Sequence, residues 1–126
     1  MYERLLQESL YMIDDGCSFE EAHIRLFENL RSRRDFFTKA FRSQDYNSVY
    51  GYGNRSIAQY YIDLIPRKTG VSLNDDEILQ VRLFTAGTAF LTTEWACDGM
   101  RTEPQALAHA FAMSAPSPFD CVNPLD

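Results

Sequence analysis

Apolar residues recur at three-and-four spacing along almost the whole of this 126-residue chain, and no run of four or more residues alternates as a strand would. The pattern predicts helices throughout. A first helix, about residues 2 to 14, lines up Leu5, Leu6, Ser9, Leu10 and Ile13 against a polar face of Glu3, Arg4, Gln7 and Glu8, and Asp15-Gly16 ends it. The second opens at Ser18-Phe-Glu-Glu21, a capping box in which serine and glutamate each satisfy an orphan backbone donor. It carries Ala22, Leu26, Phe27 and Leu30. The stripe breaks around Arg31-Ser-Arg-Arg34 and resumes at Phe36, Phe37, Ala40 and Phe41. This reads as a short third helix of about residues 34 to 43, or as a bend within one long helix.

Turn formers mixed with aromatics occupy the stretch from Ser43 to Asn54, so the start of a fourth helix is not located by the pattern. That helix continues through Ile57, Tyr60, Tyr61, Leu64 and Ile65, and Pro66 should kink it or close it near Gly70. Asn74-Asp-Asp-Glu77 supplies a cap and first-turn acids for the longest helix, about residues 75 to 98, which Gly99 stops. Thr102-Glu-Pro-Gln105 reads as a second capping box with an early proline, opening a last helix through Leu107, Ala108, Phe111 and Ala112. Ser114-Ala-Pro-Ser-Pro118 then prevents continuation, and a frayed tail to Asp126 is expected. The expected fold is all-α, with six helices.

From Leu83 to Cys97 the longest helix is uncharged on every face except at Glu94, whereas a surface helix of a monomer needs only one apolar stripe. Two arrangements satisfy this pattern. The helix lies at the centre of its own domain, or one face packs at home and the other against a second copy. Gly87 bears on the choice, because glycine inside a helix costs about 1 kcal/mol relative to alanine and calls for a compensating close approach. With Ala86, Thr88 and Ala89 it forms a small-residue patch at mid-helix, flanked by Phe84, Leu91 and Trp95. Such a patch suits two helices crossing at a two-fold axis.

Composition narrows the function. At 45% hydrophobic and 24% charged, the chain suits one domain with its own core. Eighteen acidic against twelve basic side chains leave a net charge of -6, which opposes binding to a phosphate backbone. The Arg31, Arg33, Arg34, Lys39 and Arg42 cluster, with Glu28 and Asp35 beside it, reads better as a solvated junction than as a nucleic-acid patch. Cys17, Cys97 and Cys121 lie far apart with no CxxC spacing, which fits a reducing cytoplasm better than a disulfide framework. No signal-peptide pattern opens the chain, and no uncharged run approaches the roughly 20 residues of a membrane span. His23 and His109 are isolated from each other and from the cysteines, so no metal-ligand spacing exists. There is no nucleophile beside a base, paired-carboxylate site or phosphate loop at a recognised spacing. The expectation is no enzyme, no cofactor and no metal.

Several of these residues also carry a resemblance. Arg34-Asp-Phe-Phe37 at the start of a helix, then Phe84-x-Ala86-Gly87, Trp95, Gly99-Met100, Pro104 and Leu107-Ala108 resemble the C-terminal domain of TetR-family transcriptional regulators. The likeness is to a subgroup associated with regulators of the dihydroxyacetone kinase type, although Arg33 stands where an asparagine is more typical. It covers roughly residues 18 to 113. It implies a homodimer assembled as a four-helix bundle from the last two long helices of each subunit, a small-molecule pocket among the preceding helices, and operator binding by an N-terminal helix-turn-helix. Residues 1–17 would then be a linker helix following an absent DNA-binding domain, 18–113 the effector-binding and dimerisation domain, and 114–126 a flexible tail. The acidic balance favours reading the chain as the effector half alone over a protein that has lost its reader. A free-standing helical interaction module is the alternative.

On this reading the dimer interface comprises Phe84, Gly87, Thr88, Leu91, Trp95, Leu107 and Phe111, and Tyr60, Tyr61, Phe37 and Phe41 are candidates to line a ligand pocket. Five tyrosines, Tyr46, Tyr50, Tyr52, Tyr60 and Tyr61, fall within sixteen residues and suit either a pocket lining or a cover over the core. Tyr60 and Tyr61 point about 100° apart on a helix. Tyr61 shares the apolar stripe with Ile57, Leu64 and Ile65, leaving Tyr60 as the freer candidate. Glu94 is expected to find a cationic or capping contact, with Arg101 or Arg82 within sequence reach.

Overall fold

Local capping signals set most of the helix ends in the computed structural model, which describes residues 8, 9, 12, 13, 15–42 and 46–123, with backbone alone for 46–54. Helical backbone at 8, 9, 12 and 13 leads into Gly16 at φ 104°, where the Gly16 amide donates to the Ile13 carbonyl at 3.1 Å. The rest of the expected first helix lies outside the described residues. Helix α1 spans Phe19–Ser32 and is capped by Ser18, whose hydroxyl oxygen accepts from the Glu21 amide at 3.1 Å. A single turn at Arg33 separates it from α2, Arg34–Arg42, so the junction is a break between two helices.

Helix α3, Tyr46–Thr69, starts inside the stretch that the hydrophobic pattern left open and closes at Gly70, whose amide donates to the Pro66 carbonyl at 2.8 Å. Helix α4 covers Asp75–Cys97, 23 residues or about 35 Å. The cap expected at its start forms and goes further, into a full capping box: Asn74 Oδ1 accepts from the Glu77 amide at 2.8 Å, and Glu77 Oε1 from the Asn74 amide at 3.0 Å. Helix α5, Pro104–Ser114, begins differently from expectation. Glu103 takes the cap position with Pro104 at the first turn, and no side-chain capping bond forms. The expected Thr102 to Gln105 box is absent because Pro104 already removes one orphan donor and Glu103 turns to Arg31 instead.

The segment after Ser114 also corrects the expectation of a flexible tail. It forms a 3-10 turn, Ser117–Cys121, that packs on α3 and α4, and Phe119 and Val122 are buried. The Phe19 amide donates to the Val122 carbonyl at 2.7 Å and Asn123 Nδ2 to the Ala112 carbonyl at 2.8 Å, so the backbone is tied on both sides. The prolines stop α5 as predicted, but a stopped helix is not a loose chain when an aromatic follows within reach of the core. Residues 124–126 lie outside the described residues.

The described elements are all helical. α1 packs chiefly on α5, α3 on α4, and α2 on α4. Where they meet, aromatic rings form a layer: Phe119 lies 4.8 Å from both Tyr61 and Phe84, and Phe19 lies 5.7 Å from Phe84. His23 stacks on Phe19 at 4.1 Å and meets Phe27 and Phe111 edge-on, while its Nδ1 bonds the Phe19 carbonyl at 2.9 Å. The buried threonines of α4 remain satisfied by bonding back to their own helix, Thr85 to Arg82, Thr92 to Thr88 and Thr93 to Ala89.

Two outcomes follow from this packing. Phe119→Ala should lower unfolding free energy by about 3 kcal/mol in urea titration, and a change within about 0.5 kcal/mol would mean the turn does not belong to the core. Burial in the aromatic layer lowers the His23 pKa from 6.5 to about 4. The folded state therefore favours neutral imidazole, and this contribution is complete above pH 6.5 and is lost as pH falls towards 4. Over that window the wild type should lose up to about 1.4 kcal/mol per pH unit more than His23→Leu.

Candidate functional site

One face of α4 is largely uncovered by the other described residues. Leu79, Leu83, Phe90 and Leu91 are 58%, 77%, 49% and 47% exposed, and Met113 on neighbouring α5 is 59% exposed. Spacings of four, seven and one place the four α4 residues along one side of the helix, with Gly87 among them. A Cβ built on Gly87 would find nothing within 4 Å, so no contact among the described residues requires glycine there.

Between α4 and α5 this face dips into an open groove of about 460 Å³. Its lining includes Gln80, Leu83, Phe84, Gly87, Thr88 and Leu91 from α4, and Ala110, Phe111 and Ser114 from α5. The groove brings together five of the seven residues expected at an interface: Phe84, Gly87, Thr88, Leu91 and Phe111. They contribute unequally. Phe111 is buried and Phe84 half-buried, so they form a floor supported from below by the aromatic layer, whereas Gly87 and Leu91 lie open. Thr88 is half-buried and donates to the Thr85 carbonyl at 3.1 Å.

Leu107 and Trp95 border a second hollow of about 210 Å³ together with Leu91, Glu94, Asp98, Arg101 and Thr102. Leu91 joins the two depressions. Trp95 is chiefly a core residue, with its ring 5.2 Å from Phe27 and its Nε1 donating to the Thr102 carbonyl at 2.8 Å. Glu94 is exposed and shares this hollow with Arg101, but the two form no ion pair.

The four pocket candidates lie elsewhere. Phe37, Phe41 and Tyr61 are buried and Tyr60 is half-buried, and none of them lines either hollow. Tyr61 is in contact range of Tyr60, with ring centroids 5.4 Å apart, and burial pushes its phenol well above the usual tyrosine range, with a smaller contribution from the Tyr60 phenol. Its hydroxyl is buried without a hydrogen-bond partner. The side chains of Tyr46, Tyr50 and Tyr52 lie outside the described residues.

Within the basic cluster, two contacts escaped sequence reasoning. Arg31 grips Glu103 through two bonds, at 2.8 and 3.3 Å, which holds the Glu103 carboxyl below its usual range. Arg42 donates from Nε to the Cys97 carbonyl at 2.9 Å, and its Nη2 points to the same oxygen. Both join positions 55 or more residues apart, which local spacing does not reveal. Among the described residues, no three His, Cys, Asp or Glu side chains are grouped to hold a metal ion. No helix there is long and apolar enough to cross a membrane.

The described residues thus form an all-helical domain with an apolar groove between its last two helices. The family model described as the transcriptional regulator C-terminal region, of the TetR type, matches residues 18–115, and the chain belongs to this family. Searches of curated proteins and of solved structures return no significant match.

The solitary Tyr61 hydroxyl yields a direct test. Tyr61→Phe removes a buried group with no partner, so stability in urea titration should rise by about 1 kcal/mol. A fall of similar size would reveal a water or ligand bonded to that oxygen.

Proposed function

We propose that this chain is the ligand-sensing and dimerisation region of a TetR-type transcriptional regulator and has no enzymatic role. Two copies pair through α4 and α5 of each into a four-helix bundle, with Gly87 at the crossing and Phe84, Thr88, Leu91, Trp95, Leu107 and Phe111 around it. The observation that carries this reading is the glycine. It sits mid-helix on an exposed apolar face with open space above it, so its cost of about 1 kcal/mol is offset by nothing among the described residues. A second backbone crossing close to Gly87 would supply the missing reason, and the flanking leucines would fill the space on either side.

A small effector would enter among the preceding helices, beside Phe37, Phe41, Tyr60 and Tyr61. The unpaired Tyr61 hydroxyl supports this, since a buried polar group without a partner is a place where a bound molecule can bond. Operator binding belongs to a helix-turn-helix region distinct from residues 18–115. The free thiols of Cys17, Cys97 and Cys121 accord with a cytoplasmic setting.

Light scattering should read twice the chain mass. Gly87→Ala should strengthen α4 by about 1 kcal/mol in the separated chain yet weaken pairing, and Gly87→Leu should produce monomers or aggregates. A monodisperse wild-type monomer at high concentration, or a Gly87→Leu variant that pairs normally, would overturn the assignment and favour a free-standing interaction module.

A further inference from the structure

The C-terminal end of α4 is poorly provided for by its own sequence. Its last turn contains no basic residue, and Glu94 and Asp98 place negative charge where the helix dipole already accumulates it. Two backbone devices complete part of the ending: Gly99 takes φ 87°, and the Met100 amide reaches back to the Trp95 carbonyl at 2.8 Å as in a Schellman motif. The Cys97 carbonyl belongs to the final four of the helix, which have no partner inside it. Arg42 reaches this oxygen from the last position of α2, 55 residues earlier, with Nε at 2.9 Å and Nη2 converging on it.

We propose that Arg42 is a positioning residue for the pairing face: across space it supplies the cationic cap that α4 lacks, and so holds the α4–α5 turn in the arrangement that pairing requires. The proposal rests on the dimer reading above. Its geometric basis is the second hollow, where Glu94, Trp95, Asp98, Arg101, Thr102 and Leu107 gather the end of α4, the turn and the start of α5 beside Leu91. A shift in that turn therefore moves Leu107 relative to Leu91, which both belong to the proposed interface. Trp95 Nε1 on the Thr102 carbonyl and Arg31 on Glu103 fix the far side of the same turn. The turn is thus held from within by Trp95, by Arg31 from the end of α1 and by Arg42 from the end of α2. Because α2 also carries Phe37 and Phe41, an effector-pocket candidate, Phe41, is the immediate sequence neighbour of this cap.

Arg42→Gln retains a neutral donor and loses the charge, whereas Arg42→Lys retains the charge and loses the fork. In sedimentation equilibrium of the full chain, Arg42→Gln should raise the dimer dissociation constant about tenfold, since a symmetric dimer contains the contact twice, and Arg42→Lys should recover it to within about threefold. Amide exchange across residues 98–103 should quicken in Arg42→Gln at unchanged helix content. Pairing within about twofold of wild type, or weakening that merely parallels the melting temperature, would overturn the proposal. If Arg42→Gln does not fold, salt tests the cap in the wild type. Exchange at 98–103 should quicken on going from about 0.05 to about 0.5 M salt, and an unchanged rate counts against it. Should the wild type prove monomeric, the dimer reading alone falls. Exchange at 98–103 still decides the cap, with faster exchange in Arg42→Gln upholding it and an equal rate rejecting it.

Discussion

Covering α4 is the constraint on which the remaining architecture depends. A helix with apolar residues on every side cannot satisfy itself against water, and among the described residues its neighbours lie along the inner half of its circumference. There α2, α3 and the 3-10 turn close over Val81, Thr85 and Ala96, and the threonines resolve their polarity by bonding back to the helix backbone. The outer half, from Leu79 through Leu83 and Gly87 to Leu91, remains against solvent in the single chain. The proposed pairing of two copies would remove this surface and give Gly87 a purpose.

The aromatic layer beneath the groove explains why that outer face keeps its shape. Phe84 and Phe111 are held in place by Phe19 and His23 of α1 and by Phe119 of the 3-10 turn, two separate segments of the chain. Close-packed rings resist displacement because each has specific edge or face contacts to lose. The groove floor is therefore an extension of the core. The neutral imidazole of His23 belongs to the same layer, which links the firmness of the floor to pH.

Much of the architecture was legible in the chain itself. Asn74 and Gly99 mark helix ends as expected, whereas Ser18 caps α1 through its own side chain alone, without the return bond from Glu21 that a capping box requires. The limits of that reading have physical causes. Thr102-Glu-Pro-Gln105 has the letters of a capping box, yet the helix starts one residue later, with Glu103 at the cap position and its carboxylate paired to Arg31, which is remote in sequence. Pro116 and Pro118 announced a stop to α5 but not the burial of Phe119, because a 3-10 turn has no apolar periodicity long enough to register. Of the seven interface candidates, Trp95 and Phe111 turned out to be mainly core residues, since a helical stripe does not say how deep each member sits.

By itself the sequence determined that the protein is helical, where most helices begin and end, and that one helix contains more apolar surface than a surface helix needs. These properties follow from backbone hydrogen bonding and side-chain periodicity, which act over a few residues. Only the tertiary structure decided which half of α4 faces inward, that the segment after Ser114 belongs to the core, and that Arg42 completes the end of a helix 55 residues away. Those outcomes depend on which surfaces meet in space, and no local pattern encodes the distance between two segments once the chain has turned back on itself.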